Sequence, residues 1–263
     1  VTVRTITEYF TRRLEGLGYT ADNVYWSLGY SQGDGMDFEG CGDAQRLYTR
    51  LMGVPPTTDV TDALRDARVK VTRSGHYHHY NSMSVELEWD DEDAASEIKE
   101  LMSQFAAAVE QDVIDTSRTL EKEGYAILEA CNPFWFQKSK LWKNETFSER
   151  AASVRTFRRG PFEVEVAMYD NDHLGGYESG DEEADHADMM RMVGGEIVSY
   201  DLCVRIKADG FAVFQEWAHG VTDGRNEIRP FQVARELMRA ARPVLRSRAM
   251  QLSRLAGRES REF

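Results

Sequence analysis

The sequence predicts an α+β fold in which antiparallel sheet packs against a long central helix and a C-terminal helix. Three observations lead there. Strand-like stretches fall into two groups, one between residues 24 and 89 and one between 163 and 221, instead of alternating singly with helices; such segregation favours antiparallel sheet over a βαβ arrangement. Between the groups, residues 90–130 carry apolar side chains at helical spacing. A second periodic stretch runs from Pro230 to about Leu255. The implied division is an α+β domain at 1–135, an aromatic and basic connector at 136–154, and a second α+β unit at 155–263.

Residues 5–17 place Ile6, Phe10, Leu14 and Leu17 on one helical face, with Gly18 as a stop. Val24 to Phe38 is aromatic and β-branched and then glycine-bearing, which reads as a strand interrupted at SQGDG. A short helix is expected over Ala44 to Met52, then a loop at Pro55 and Pro56 and a helical turn at 61–68. Residues 69–74 and 82–89 read as strands, the second with Met83, Val85, Leu87 and Trp89 on one face. Ile98, Met102, Phe105, Val109, Val113 and Leu120 stripe the long helix, Gly124 is placed to divide it, and Asn132-Pro133 ends it. The second β region comprises Glu163 to Tyr169, Ile197 to Ile206 and Phe211 to Val221, the last two joined by a turn at 207–210. Phe231, Ala234, Met238, Ala241 and Leu245 form the stripe of the last helix, which Pro243 is expected to kink. The two halves share element order without a shared motif.

The chain has 263 residues and a formal net charge of −13, unevenly spread. Ten Arg and four Glu between Arg225 and Phe263 give that segment +6, so the preceding 224 residues carry −19. An acidic body disfavours a broad nucleic-acid surface, because phosphate binding is driven by Lys and Arg. Cys41, Cys131 and Cys203 are far apart and form no CxxC pair, which argues against a zinc ribbon or a disulfide framework and predicts three buried thiols. No apolar run reaches the roughly 18 residues of a membrane span, and residues 1–16 lack the apolar core of a signal peptide. A soluble, cytoplasmic protein is expected.

Four features bear on chemistry. In SQGDG, Ser31, Gln32 and Asp34 put polar side chains around a turn where Gly33 and Gly35 permit close backbone approach; the segment lacks the Lys of a P-loop and the GxGxxG spacing. In HYHHYNS, His76 and His78 share a face if extended, and Asp34, Asp37 or Glu39 could complete an acid/base or divalent-metal site, although no recognised ligand spacing supports a metal. Asp170, Asp172 and His173, with the run from Asp181 to His186, read as a solvated segment or as a carboxylate–imidazole cluster, and Asp181, Glu182, Glu183 and Asp185 as a candidate acidic interaction face. Arg235, Arg239 and Arg242 decorate the last helix, where they could pack beside the sheet or meet nucleic acid. HExxH and EF-hand spacings are absent, and neither a cofactor nor a nucleophilic or zinc-hydrolase mechanism is predicted.

The runs VYWSLGYSQGDGMDFEG and GHYHHYNSMSVELEW, followed by a helix ending LEKEGYAILEACNPF, resemble a family of bacteriophage and mobile-element proteins whose members carry an SQGDG-type motif. Some of these are labelled antitoxins of toxin–antitoxin stability systems. The resemblance covers residues 5–135. It implies a non-enzymatic accessory protein, antitoxin-like or counter-defence, that contacts a host or phage protein, with acidic faces able to occupy a basic surface. The alternatives are an enzyme or ligand binder built on the SQGDG and HYHHY segments, and a nucleic-acid-associated protein using the C-terminal helix.

Overall fold

A computed structural model describes residues 2–29, 33–73, 83–90, 94–133, 151–171, 181–225 and 229–259. The fold is α+β: the described residues form six helices and two four-stranded antiparallel sheets. The chain divides into two compact units, residues 3–126 and residues 127–263, the latter joined by residues 1–2.

The N-terminal unit contains α1 (Thr2–Leu17), β1 (Tyr19–Ser27), β2 (Gly35–Gly42), α2 (Ala44–Met52), α3 (Thr58–Arg65), β3 (Arg68–Arg73), β4 (Met83–Glu88) and most of α4 (Ser96–Cys131). Its strands lie in sequence order. The single interrupted strand expected at 24–38 is two strands, because the chain reverses between Ser27 and Gly35 and β1 pairs back on β2 from Ser27–Gly35 to Tyr19–Gly42. α2 has the expected bounds; the Asp43 side chain accepts the Arg46 N–H at 3.0 Å and so satisfies one orphan donor of the first turn. Most of the expected stripe is buried, namely Ile6, Phe10 and Leu14 of α1 and Met102, Phe105, Val109, Val113 and Leu120 of α4, together with Met36, Phe38, Val69 and Val71 of the sheet, whereas Leu17 and Ile98 are half-buried.

Helix α4 runs unbroken through Gly124, contrary to the division expected there. An added Cβ at 124 would stand 2.6 Å from Leu28 Cδ1 and 2.8 Å from Phe10 Cζ, so this glycine serves close packing and not a break. Two tyrosines fasten the same helix. The Tyr9 hydroxyl donates to Glu123 at 2.8 Å, and Arg13 pairs with that carboxylate at 2.7 Å. The Tyr19 hydroxyl donates to Asp112 at 2.5 Å, and Arg50 grips both oxygens at 2.8 and 2.6 Å. Burial first, and then the adjacent carboxylate, push both phenols well above their ordinary pKa.

The C-terminal unit contains β5 (Ala151–Arg159), β6 (Phe162–Asp170), α5 (Glu182–Val193), β7 (Ile197–Ala208), β8 (Phe211–Gly224) and α6 (Pro230–Glu259), with its strands again in sequence order. Val164, Val166, Met168, Tyr200, Leu202, Val204 and Ile206 form the sheet side of the core, and Ala234 and Ala241 bring α6 onto it. The turn between β7 and β8 has positive φ at both Asp209 (49°) and Gly210 (83°), the two-residue hairpin geometry that the Asp-Gly pair favours. At the end of α4, the Cys131 carbonyl accepts the Asn171 N–H at 2.8 Å, and Asn171 donates to Ser199 at 3.1 Å.

Several expectations are corrected here. Residues 151–154 open a strand and are not connector; residues 134–150 lie outside the described residues. The acidic run beyond residue 180 opens a helix, because Asp181 caps it and Met189 and Met192 supply buried anchors. The last helix passes through Pro243; the freed Arg239 carbonyl lies on an exposed stretch, where water can replace the lost bond. Phe231, placed on the core stripe from sequence, is 41% exposed. Cys131 and Cys203 are buried, whereas Cys41 is exposed on β2. Among the described residues, no helix is long and apolar enough to cross a membrane.

Replacing Gly124 by Ala should destabilise the protein by about 1 kcal/mol although Ala is the better helix former, because overpacking outweighs propensity; urea denaturation measures the sign. Stability should also fall at alkaline pH. Burial raises the Cys203 thiol to about 11, and Tyr9, Tyr19 and Tyr200 shift the same way. The unfolded chain therefore loses these protons first, and the stabilisation is complete below the ordinary thiol pKa and drains away as pH rises toward 11. The expected readout is a urea midpoint that is flat to about pH 8 and declines from about pH 9.

Candidate functional site

Asp34 sits immediately before β2, where the SQGDG turn closes the first hairpin. Its Oδ1 accepts the Ser27 hydroxyl at 3.0 Å and its Oδ2 accepts the Tyr125 hydroxyl at 2.5 Å. One helical turn before Tyr125, the Glu121 carboxyl is raised above the usual carboxylate range, first by burial and then by the negative charge of Asp34. Both oxygens of Asp34 thus anchor the turn to β1 and α4. Gly33 and Gly35 flank it in the turn and at the strand's first residue; Ser31, Gln32, His76 and His78 lie outside the described residues.

The β2–β3 ladder is short, pairing only Gly40–Gly42 with Val69–Val71. Beyond it the Phe38 N–H donates to the Met83 sulfur at 3.3 Å instead of to a strand carbonyl, and the Met36 carbonyl accepts the Ser117 hydroxyl. Asp37 is fully buried beside this opening and pairs with Arg73 at 3.2 Å. The Arg73 guanidinium lies 5.0 Å over the Tyr25 ring, and the Tyr25 hydroxyl donates to Glu39 at 2.9 Å. Asp34 and Glu39 are therefore both held by tyrosine hydroxyls. Among the described residues, no three His, Cys, Asp or Glu side chains form a group able to hold a metal ion.

The acidic residues singled out in the second half are engaged locally. Asp181 Oδ1 accepts the N–H groups of Glu183 and Ala184 at 3.1 Å each, and Glu182, Glu183 and Asp185 occupy the first turn of α5, where negative charge complements the helix dipole. Asp170 ends β6 in the buried interior, and Asp172 and His173 lie outside the described residues.

The arginines are arranged differently. Arg235, Arg239 and Arg242 follow i, i+4, i+7 spacing and so share one face of α6 over about 10 Å of axis. They border a groove of about 580 Å³ between α6 and the β5–β6 hairpin. Phe157, Phe162, Val164, Ile206, Met238 and Leu245 supply its apolar lining, and Arg159 comes in from the hairpin. A second cavity of about 300 Å³ shares Phe157, Arg235 and Met238 with it and adds Arg155 and Phe231. Among the described residues, none of Arg155, Arg159, Arg235, Arg239 and Arg242 has an acidic side chain within ion-pair distance. Arg155 instead lies 5.5 Å over the Phe157 ring.

Sequence reasoning named the three helical arginines and missed their partners across the groove. The signal was present: Arg155, Phe157 and Arg159 alternate with a period of two before the Gly160-Pro161 turn. The basic residues concealed it, and the second β region reads only from Glu163 onward. Tyr125, Ser27 and Arg73 carried no such signal, because what joins them to Asp34 and Asp37 is tertiary contact.

The class of protein is thus a two-unit α+β chain, with a tyrosine-clasped turn in the first unit and a cationic, apolar-lined groove in the second. Residues 3–135 match the family model of a domain of unknown function, DUF8835, and the chain belongs to that family. No curated protein and no solved structure matches it.

Tyr125→Phe should cost about 1–2 kcal/mol by removing a donor from a partly buried carboxylate. Asp34→Asn should cost less than Asp34→Ala, since the amide oxygen still accepts one of the two hydroxyls. Chemical denaturation of the three variants checks this order.

Proposed function

We propose that the protein acts by binding and not by catalysis, as an accessory factor, and that its working surface is the arginine-bordered groove, which takes an anionic partner. One observation carries the reading. In a chain of net charge −13, five guanidiniums without a described acidic partner gather around two adjoining apolar cavities. Placing like charges together is unfavourable in the free protein, and an anion relieves it. The resemblance of residues 5–135 to bacteriophage and mobile-element proteins supports an antitoxin-like or counter-defence setting, with a host or phage macromolecule as the partner.

The acidic-face version of this reading has weaker support, because Asp181 and the acids after it serve the N-terminus of α5. The enzymatic version has weaker support too, because both Asp34 oxygens are occupied by hydroxyl donors.

Binding of fluorescent dextran sulfate, followed by anisotropy across a salt series, tests the reading. The wild-type protein should bind with an affinity that falls steeply as salt rises, since exposed charges are screened over about 8 Å at physiological ionic strength. Charge reversal at Arg235, Arg239 and Arg242 together should weaken binding by at least about tenfold, or roughly 1.4 kcal/mol. Neutralising Glu182, Glu183 and Asp185, with the cap Asp181 left in place, should not weaken it. Equal binding by the arginine variant would remove the groove from the function.

A further inference from the structure

We infer that the groove's partner is single-stranded nucleic acid, an inference that rests on the binding role proposed above and gives it a chemical class. The groove repeats one arrangement. In the larger cavity Phe157 and Phe162 stand among Arg159, Arg239 and Arg242; in the smaller one, Phe157 and Phe231 stand beside Arg155 and Arg235. A polymer that offers a flat apolar ring and a negative charge in every repeat matches two adjoining cavities built alike. Proteins that hold single strands without reading sequence use this combination, a cationic track with aromatic side chains on which bases stack.

The choice of cation points the same way. From Arg225 to Phe263 the sequence has ten Arg and no Lys. A guanidinium grips phosphate with a planar fork and also stacks on rings, and a lysine ammonium does only the first of these tasks, as a point charge. Arg155 already lies against the Phe157 face, so a base entering there meets a ring and a guanidinium plane together. Phe231, 41% exposed at the start of α6, offers apolar surface that the core does not use.

Duplex nucleic acid is a poor fit. Its bases are stacked and paired, and one reaches the floor of a groove only after unstacking, at a cost of a few kcal/mol. The 224 residues before Arg225 also carry −19, which repels a long rigid polyanion and leaves room for a short stretch of flexible strand held at the groove alone.

The test uses the full chain and a labelled oligothymidylate of about twelve nucleotides, within the site sizes usual for single-strand grooves. Wild-type protein should bind it, and bind a duplex of the same length at least about tenfold more weakly. R235E/R239E/R242E should abolish binding. Phe231→Ala, at a partly exposed position outside the buried core, should weaken oligonucleotide binding about tenfold and leave dextran sulfate binding within about twofold, because a stacked base contributes about 1–3 kcal/mol and a sulfated sugar has no aromatic face to stack. Circular dichroism confirms that each variant is folded. Dextran sulfate bound through the arginines with no oligonucleotide bound would overturn this inference and leave the binding role standing; neither polymer bound would overturn both. Duplex held as tightly as single strand, or oligonucleotide binding indifferent to the arginines and to Phe231, would also overturn it.

Discussion

The N-terminal unit depends on tyrosine hydroxyls that donate to carboxylates. An acidic chain must bring carboxylates close to its interior without enough cations to pair them all, and a phenol solves this by supplying a hydrogen bond from a mostly apolar body. Tyr9 with Glu123, Tyr19 with Asp112 and Tyr125 with Asp34 place three such bonds along α4, one each to α1, β1 and the turn before β2. In the first two, an arginine at the rim shares the same carboxylate. The long helix is thereby fixed in register against three other elements, and the apolar stripe from Met102 to Leu120 is aimed at the sheet. The C-terminal unit uses the same device where Tyr200 donates to Asp223 at 2.5 Å and ties the two longest strands together.

What was legible in the sequence was local. Asp43 before Ala44 and Gly53 after Met52 bracket α2 because a helix end needs side-chain acceptors and a residue free to leave the helix; the bounds follow from chemistry within a few residues. The Asp209-Gly210 hairpin and the alternation from Met83 onward are of the same kind. Three elements were misread where local chemistry points one way and tertiary contact another. Gly124 looks like a helix breaker and is a contact point for Phe10 and Leu28. The run from Asp181 looks like solvated loop, yet two buried methionines at the far end of α5 hold the helix down. The basic stretch before Gly160 has few apolar residues and does not read as a strand, but Arg155, Phe157 and Arg159 share one face of β5.

The candidate site was legible by half for the same reason. Asp34 stood out because a GDG turn is unusual, and the helical arginines stood out because they recur every three or four residues. Neither signal says what lies opposite. Asp34 meets Tyr125 across 91 positions of sequence, and Arg235 meets Phe157 across nearly as many. One chain position brings a carboxylate to its hydroxyl donors, which makes it structural, and the other brings guanidiniums to rings without acids, which makes them available.

After α1 in the first, each unit runs strand, strand, helical insertion, strand, strand, long helix, yet among the described residues the arginine groove belongs to the second, and the difference lies in the helix. In α6 the residues that touch the sheet most closely are alanines, at 234 and 241, with no exposure at all. Small side chains draw the axis down onto β7 and β8, and the flanking positions then stand beside the β5–β6 hairpin. Met238 and Leu245 fill part of the space between them and the hairpin, and the arginines on the same side stand at its rim. The groove follows from the way this core packs: the contacts that seat α6 on the sheet are those that raise its arginines beside Phe157 and Phe162. Tight packing at two alanines thus sets the position of three of the five cations, and the stability of the C-terminal unit and the shape of its binding surface are tied to one helix.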